Sequence, residues 1–386
     1  MPAAQLPVPV VICGYVRSPF TPAGKGALVQ TRPDDLAAQV VAALVKRTGV
    51  KVDDIEDLIM GCAFPEGEQG FNIARLVALH AGLPLSVAGQ TINRFCGSSM
   101  QAVHAAAGAI QMGAGDVFVC AGVESMSRVP MGGYNPMPNP NLYKANPAAY
   151  MGMGETAENL AKKYKISRKA QEEFAVLSHH KAAKAQQAGR LSGEIVPIKT
   201  PAGTVSEDGC IRADTTMQGL AGLKPAFDEN GSVTAGTSSP LTDGSAAVLV
   251  ASEAYAKKHK LPIMARVISV AVSACQPEIM GIGPVQATKK ALARAGLKLK
   301  DMDIVELNEA FSVQSLAVLE DLADLSPAKV NLDGGAIALG HPLGATGARI
   351  TGKVAELLVR EKARYGLATQ CIGGGQGIAI ILERVK

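Results

Sequence analysis

The chain has 386 residues, of which 47% are hydrophobic and 4% aromatic, with 41 glycines and no tryptophan. Such a chain can bury a large core, and its many small side chains favour close-packed α/β layers over a disordered chain or an all-β sandwich. The net charge of +4 is too small to indicate a nucleic-acid partner, and no basic patch alternates with aromatic residues.

The seven cysteines are scattered without CxxC spacing. They therefore predict neither a disulfide framework nor a zinc or other metal site, and they indicate a reducing compartment. The N-terminal sequence has no basic region ahead of an apolar stretch, and no run of 18 apolar residues occurs. We expect a soluble, cytoplasmic protein without a transmembrane segment.

The chain repeats itself at an offset of 247 residues. "RTGVKVDDIEDLIMGCAF" at 47–64 aligns with "RAGLKLKDMDIVELNEAF" at 294–311, and both read as a helix end, a turn and an apolar strand. A Gly/Ala-rich helix follows in each half, at 98–110 and within 340–358. This pattern predicts two similar α/β halves built from right-handed βαβ units, with the Gly/Ala-rich helices buried between two sheets.

The first of these helices follows the sequence "NRFCGSS", which places Cys96 at or just before a helix N-terminus. Unpaired backbone N–H groups and the positive end of the helix dipole stabilise a thiolate there, so we predict a nucleophile. A small, inert core cysteine is the alternative that this stretch leaves open.

The halves are separated by an inserted segment, residues 119–239. It opens with an irregular stretch rich in Pro, Gly and Asn at 129–153, and two polar helices follow, the second with Ser167 as its N-cap. We expect this segment to lie over the first half and to cover a ligand site. On the second polar helix, His179 and His180 have no ligand spacing, and we predict that both are exposed.

Basic residues are concentrated in this segment. Residues 160–190 carry eight Lys or Arg against two acids that lie at 172 and 173. This density of positive charge fits either a solvated helix face or an electrostatic field that attracts a polyanionic substrate.

Reactive residues recur in the second half. His341 lies in the glycine-rich "GGAIALGHPLGATGAR", Cys371 opens "CIGGGQG", and Asn308 and Glu309 follow an apolar strand in "ELNEAFS". An imidazole near Cys96 would deprotonate the thiol, and glycine N–H groups would bind an oxyanion. This set suits acyl transfer through a thioester, whereas Glu309 fits simple loop capping.

Seven blocks together resemble the thiolase family, from about residue 10 to residue 384: "NRFCGSSMQA", "GVESMSRVPM", "MGMGETAENLA", "TAGTSSPLTDGSAA", "NEAF", "GGAIALGHPLGATGAR" and "CIGGGQG". The resemblance implies a five-layer α/β/α/β/α sandwich of two halves with an inserted loop domain. It divides the chain into residues 1–118 plus 240–264, the inserted segment 119–239, and residues 265–386.

The resemblance also implies roles for individual residues. Cys96 is the residue that becomes acylated, His341 its base and an oxyanion donor, and Cys371 the second acid/base. Asn308 holds a water in the first oxyanion hole, and the N–H groups of Cys96 and Gly373 form the second. Substrate contacts are implied for five further residues: Met153, Arg212, Phe227 and Ser239 at the CoA moiety, and Phe311 at the acyl end.

The resemblance implies CoA and acyl-CoA as substrates, no further cofactor, and a homodimer or homotetramer. It is also compatible with a complex that includes a hydratase/dehydrogenase subunit of β-oxidation.

The connection before "MGMGETAEN" is shorter than in biosynthetic thiolases, and Gly152, Thr237 and Pro240 replace a His, an Asn and a Gly. The short loop, "CGSSMQA" and "TAGTSS" resemble degradative bacterial enzymes. We therefore expect thiolytic cleavage of 3-ketoacyl-CoA in fatty-acid oxidation. The alternatives are a condensing acetoacetyl-CoA thiolase and a non-catalytic CoA- or lipid-binding subunit. A 3-ketoacyl synthase is disfavoured because Cys371 replaces its second His or Asn.

Overall fold

Two related half-sheets form the centre of the molecule. The structure is a computed structural model that describes residues 6–385. The strands are β1 (Val10–Arg17), β2 (Thr21–Pro22), β3 (Asp57–Gly61), β4 (Ala88–Ile92), β5 (Val117–Ser125), β6 (Ile198–Thr200), β7 (Gly203–Val205), β8 (Thr242–Ser252), β9 (Ala265–Ala274), β10 (Ile304–Leu307), β11 (Tyr365–Ile372) and β12 (Gln376–Arg384). The helices are α1 (Pro33–Thr48), α2 (Ile73–His80), α3 (Ser98–Gln111), α4 (Pro140–Ala145), α5 (Met153–Tyr164), α6 (Arg168–Gln187), α7 (Met217–Ala221), α8 (Glu253–Lys258), α9 (Gly283–Ala295), α10 (Ser312–Asp321), α11 (Ala336–Leu339) and α12 (Leu343–Arg360).

The half-sheets are continuous with each other. The strand order is β10-β11-β12-β9-β1-β8-β5-β3-β4, with β2 also paired to β8. The two halves meet where β1 and β9 pair antiparallel over three positions, Val10 with Val267, Val11 with Arg266 and Ile12 with Ala265. Each half contains parallel pairs, β3 with both β4 and β5 in the first and β10 with β11 in the second.

The helices divide into three layers around the half-sheets. Helices α1 and α2 pack on the outer face of the first half-sheet, and α9 and α10 pack on the outer face of the second. Helices α3 and α12 lie between the half-sheets, within one shared apolar core. Strand β8 shows why: Leu249 faces the outer core and Val248 and Val250 face the middle one, as the two-residue period of a strand requires. The five-layer arrangement predicted from the sequence is confirmed.

The internal repeat corresponds to equivalent elements. Strand β3 begins at Asp57 and β10 at Ile304, which reproduces the offset of 247 residues seen in the sequence. The helices before them, α1 and α9, both end at a left-handed glycine, Gly49 with φ 67° and Gly296 with φ 65°. Glycine adopts this conformation without the steric cost that a Cβ imposes, so the same stop signal ends both helices.

Close packing of the middle layer depends on glycine. A Cβ at Gly347 of α12 would lie 2.2 Å from the backbone nitrogen of Met100 on α3, and one at Gly122 of β5 would lie 2.1 Å from the carbonyl oxygen of Gly344. The backbones of the two halves therefore approach each other more closely than any larger residue allows. This contact brings the N-termini of α3 and α12 together.

The inserted segment packs on both halves: Val196 and Ile198 lie in the core of the first half, whereas its helices pack on the second. Helix α5 shares an apolar cluster with the start of α10, and α6 packs its alanines against α11.

The prediction that His179 is exposed is wrong, because this side chain is buried on the inner face of α6. His180 is exposed, as predicted. Because β5 continues to Ser125, the predicted boundary at residue 118 falls within a strand.

A buried ionic network ties this segment to both halves. Arg17 of β1 binds Asp208 through two bonds of 2.6 and 2.7 Å and Glu194 through one of 2.7 Å. Lys353 of α12 approaches the other oxygen of Glu194 at 2.9 Å. Buried charges persist only when they are paired in this way, so the network fixes the position of the segment.

The basic residues at 160–190 are largely used in folding. Arg168 pairs with Glu172 at 2.7 Å, Lys181 donates to the Val330 carbonyl at 2.8 Å, and Arg190 approaches Asp333 at 3.2 Å. These contacts favour an ordinary helix face over a field for a polyanion.

Within residues 6–385, no helix is both long and apolar enough to cross a membrane. All seven cysteines are free thiols, and no cluster of His, Cys, Asp or Glu in the same range fits a metal ion.

Candidate active site

Cys96 lies in a tight turn between β4 and α3. The strand ends at Ile92, and the helix begins at Ser98 with Gly97 as its N-cap residue. The Ser98 hydroxyl donates to the carbonyl of Phe95 at 2.6 Å and closes the turn. The prediction that Cys96 comes just before a helix N-terminus is confirmed.

The surroundings of the Cys96 sulfur favour the neutral thiol. The backbone N–H groups of Gly373 and of Cys96 itself bind the sulfur. Burial nevertheless raises the pKa of the thiol to about 12; the Gly373 N–H lowers that pKa, and the nearby Glu124 carboxylate raises it. For the pKa of this thiol, the loss of water outweighs the helix terminus that the sequence indicated.

Cys371 is the last residue but one of β11, and Ile372 separates it from a turn of three glycines. Gly374 and Gly375 have φ angles of +77° and +80°, which glycine adopts most easily, and this turn carries the N–H of Gly373 to Cys96. Burial raises the pKa of the Cys371 thiol well above its usual value, and charge on Cys96 raises it further. The Cys96 sulfur is thus close enough to affect the ionisation of Cys371.

His341 lies in the turn before α12 and is 5% exposed. Its Nδ1 is 2.6 Å from the hydroxyl of Thr346, and its backbone N–H donates to the hydroxyl of Thr242 at 3.0 Å. Burial lowers the pKa of the imidazole to about 3, and the Arg349 cation also lowers it. The ring is therefore neutral at pH 7 and is able to accept a proton.

Asn308 lies beside His341 at the end of β10. Its Nδ2 is 3.4 Å from His341 Nε2, and its backbone N–H donates to the Thr369 carbonyl at 3.0 Å. The Asn308 Oδ1 is buried and has no hydrogen-bond partner among residues 6–385. Buried amide oxygens normally bind a donor, so this atom is suited to hold a water or a substrate group.

Glu309 has the capping role predicted for it. One of its oxygens accepts the Ser178 hydroxyl at 2.6 Å and the Ile337 N–H at 3.3 Å, and the other accepts the Asn331 amide at 2.7 Å. It thereby joins α6 to the loop that leads to His341.

Glu124, at the end of β5, joins the loop after β3 to the start of α12. Its buried carboxylate accepts backbone N–H groups from Ala63 at 2.8 Å and Phe64 at 3.2 Å in the first half, and from Gly344 at 2.8 Å in the second. The Gln69 amide donates to it at 2.8 Å as well. Sequence reasoning assigned this residue no role, although a lone acid in the apolar run "VFVCAGVES" was the available signal.

Residues predicted to contact the substrate border the thiols. Met153, the first residue of α5, is close enough that a Cβ on Gly373 would lie 3.4 Å from its sulfur. Phe311 is buried in the same apolar cluster as Cys371. The exposed ring of Phe227 packs edge-on against the Phe311 ring, with 5.9 Å between the ring centroids.

The other two predicted substrate residues lie at the periphery. Ser239 donates its N–H to the Ala310 carbonyl at 3.0 Å, next to Phe311. Arg212 has an exposed side chain, and its backbone N–H donates to His179 Nδ1 at 3.2 Å. The cation is therefore available to an anionic group in solvent.

The same two-part architecture is found in known proteins. Residues 10–254 match the family model described as "Thiolase, N-terminal domain", and residues 261–384 match "Thiolase, C-terminal domain". The chain is 50% identical to the 3-ketoacyl-CoA thiolase of Aliivibrio fischeri over 384 residues, which cover 97% of this chain and 99% of that protein. It is also 50% identical to the enzyme of the same name from a Marinomonas species, over 98% of this chain and 99% of that one.

Solved structures give the same result. The acetyl-CoA acetyltransferase of Bacillus anthracis superimposes with a TM-score of 0.90 at 42% identity, covering 98% of this chain and 99% of that one. Human mitochondrial 3-ketoacyl-CoA thiolase, solved in complex with CoA, superimposes with a TM-score of 0.91 at 38% identity over 99% of both chains.

Fold and comparisons together define an α/β acyltransferase. The chain belongs to the thiolase family. The resemblance predicted from the seven sequence blocks is confirmed.

Proposed function

We propose that this protein cleaves 3-ketoacyl-CoA with CoA, releasing acetyl-CoA and an acyl-CoA shortened by two carbons. The observation that carries the proposal is that the Cys96 sulfur lies against two backbone N–H groups and within electrostatic range of a second thiol, Cys371. The names of the bacterial relatives support the degradative reaction over condensation and over a non-catalytic binder.

In the first half-reaction, His341 Nε2 takes the proton of Cys96, and the sulfur attacks the C3 carbonyl of the substrate. The oxyanion that forms is stabilised by the N–H groups of Cys96 and Gly373. The C2–C3 bond then breaks, leaving an acyl-Cys96 thioester and the enolate of acetyl-CoA. His341, with a water held by Asn308, stabilises that enolate oxygen, and Cys371 gives its proton to the carbon.

In the second half-reaction, the Cys371 thiolate takes the proton of the incoming CoA thiol. The CoA sulfur attacks acyl-Cys96, the shortened acyl-CoA leaves, and Cys96 recovers its proton from His341. Because burial raises the pKa of both thiols, each thiolate forms only when the reaction requires it. CoA is thus a substrate, and no further cofactor takes part.

Substitution of the thiols tests this assignment. Cys96→Ser should reduce thiolysis of 3-ketoacyl-CoA by more than about a thousandfold, and Cys371→Ser by about a hundredfold to ten-thousandfold. Cys120→Ser is a matched control, because this buried thiol lies in the middle apolar core with a hydrogen bond to the Ala102 carbonyl at 3.5 Å, and it should retain full activity.

Loss of the magnesium-enolate absorbance of the substrate measures the rate, and mass spectrometry of the Cys96 peptide detects the acyl group. Binding of CoA without any thiolysis by the wild type would instead support the non-catalytic alternative. Rates for substrates of four to sixteen carbons separate the two thiolase types, because a sharp preference for four carbons would favour the condensing enzyme.

A homodimer is part of the proposal. Strand β4 ends the sheet and leaves one edge unpaired, and apolar side chains surround it: Phe71 is 93% exposed and Leu85 80% exposed. Such an edge normally pairs, here with its copy across a twofold axis. Leu85→Glu should convert the dimer to a monomer in light scattering, whereas Leu177→Glu, at a site 52% exposed on α6, should not.

Three further assignments accompany the function. The division into residues 1–118 plus 240–264, 119–239 and 265–386, the cytoplasmic location, and a hydratase/dehydrogenase partner stay predictions. Seven free thiols and bacterial relatives support the location. Co-purification of the tagged chain from its own cells tests the partner.

A further inference from the structure

Two threonine hydroxyls hold His341 from opposite halves of the molecule. Thr242, the first residue of β8, accepts the backbone N–H of His341 at 3.0 Å. Thr346, in the first turn of α12, places its hydroxyl oxygen 2.6 Å from the imidazole Nδ1. The base is therefore fixed at its backbone and at one ring nitrogen, which leaves only Nε2 free for chemistry.

Each of these hydroxyls has only one proton to donate. The Thr242 hydroxyl donates to the Pro240 carbonyl at 2.6 Å, and the Thr346 hydroxyl donates to the Pro342 carbonyl at 3.0 Å. The second of these is the usual bond from a helical threonine to the carbonyl four residues earlier. With their protons engaged, both hydroxyl oxygens act as acceptors toward His341.

The tautomer of the imidazole follows from this count. An accepting oxygen at 2.6 Å from Nδ1 requires the proton on Nδ1 and leaves Nε2 with a lone pair. On the other side of the ring, Nε2 faces the amide nitrogen of Asn308 at 3.4 Å, and this nitrogen is a donor. Both neighbours of the ring thus favour the same tautomer.

We propose that Thr346 is a positioning residue that holds His341 in the tautomer whose Nε2 is ready to take a proton. This inference rests on the proposed function, in which Nε2 deprotonates Cys96. When Nε2 gains that proton, the Nδ1–H bond to Thr346 persists, so the cation forms without reorientation of the ring.

Burial makes this contact matter. His341 is 5% exposed, so no bulk water replaces a missing acceptor at Nδ1. If Thr346 lost its oxygen, the ring would either keep an unpaired N–H at Nδ1 or move the proton to Nε2, against the amide donor of Asn308. Both states are unfavourable, and the second cannot accept a proton from Cys96.

Kinetics of matched variants test the proposal. Thr346→Val keeps the shape but removes the hydroxyl, and we expect kcat to fall about tenfold to a hundredfold with little change in KM for CoA. Thr346→Ser should restore kcat to within about threefold of the wild type. Thr351→Val is the control, since Thr351 makes the same kind of bond, to the Gly347 carbonyl at 2.7 Å, without contact to His341.

A second readout does not depend on turnover. Nitrogen-15 spectra of histidine-labelled protein, assigned with His341→Asn, report which ring nitrogen carries the proton. We expect the Nδ1–H form in the wild type and in Thr346→Ser, and loss of that preference in Thr346→Val. If Thr346→Val does not fold, the wild-type and serine spectra still decide the question.

An Nε2–H form in the wild type, or equal loss of kcat in Thr351→Val and Thr346→Val, would overturn the proposal. Failure of the proposed function is distinguishable: the wild type would then show no thiolysis even though His341 held the Nδ1–H tautomer.

Discussion

Acid should destabilise this protein through His179, the buried imidazole of α6. Its Nδ1 accepts the backbone N–H of Arg212 at 3.2 Å. Burial lowers the pKa of this imidazole from 6.5 to about 4, with smaller contributions from the nearby Arg212 and His180. The folded protein therefore keeps His179 neutral over a range of pH in which the unfolded chain protonates it.

The sign and size of the effect follow from these two pKa values. Because the unfolded chain binds the proton more tightly, the stabilising contribution is complete above pH 6.5 and is lost as the pH falls toward 4. Each pH unit in this interval corresponds to about 1.4 kcal/mol, so lowering the pH from about 7.5 to about 5 should cost about 2 kcal/mol from His179 alone.

His179→Asn removes the titration but keeps an oxygen able to accept the Arg212 N–H. Urea unfolding followed by circular dichroism, at pH 7.5 and 5 and one protein concentration, should show that the wild type loses about 2 kcal/mol more than this variant. His180→Asn is the matched control: this exposed neighbour contacts the Thr215 carbonyl at 3.0 Å, and its variant should follow the wild type. Equal pH dependence in wild type and His179→Asn would refute the reasoning.

Three substitutions test other parts of the structure. Arg17→Met leaves two buried carboxylates without this partner and should lower the free energy of unfolding by about 3–5 kcal/mol in urea titrations. Gly347→Ala brings a Cβ to within 2.2 Å of the Met100 nitrogen, so it should separate α3 from α12 and cost at least about 1–3 kcal/mol, or prevent soluble expression. Phe227→Ala removes the ring that packs edge-on against Phe311 at 5.9 Å, and it should raise KM for CoA about threefold to tenfold without lowering kcat.

Much of the fold could be predicted because the same order of helix, turn and strand occurs twice in the sequence. A strand that begins at Asp57 and its counterpart at Ile304 share both hydrophobic pattern and helix stop signal, so the second copy supports the interpretation of the first. The position of the inserted segment was harder to predict from the sequence. Its helices meet α10 and α11 through apolar contacts between residues far apart in the chain, which no local pattern reveals.

The burial of His179 could have been predicted from the sequence of α6. Ala175 lies four residues before it and Ala182 three residues after it, and both are fully buried on the same face of α6. This apolar stripe is a stronger signal for burial than the lack of ligand spacing is for exposure.

The site itself was only partly accessible from sequence. Motifs identified the thiols, His341 and Asn308, because reactive residues stand out among small ones. The roles of Thr346 and Glu124 depend on hydrogen-bond geometry, and Glu124 connects loops about 280 residues apart in the chain, from Ala63 to Gly344. The ionisation state of Cys96 depends on loss of water around the sulfur, which a helix-terminus argument alone does not include.

The pairing of β1 with β9 makes the two halves depend on each other. Each half completes the hydrogen bonding of the other's outermost strand. A chain cut in the exposed stretch 257–260 should therefore be active only when both pieces are synthesised together. Each piece alone would expose an unpaired edge strand. The two halves are in this way joined into one hydrogen-bonded sheet that neither completes alone.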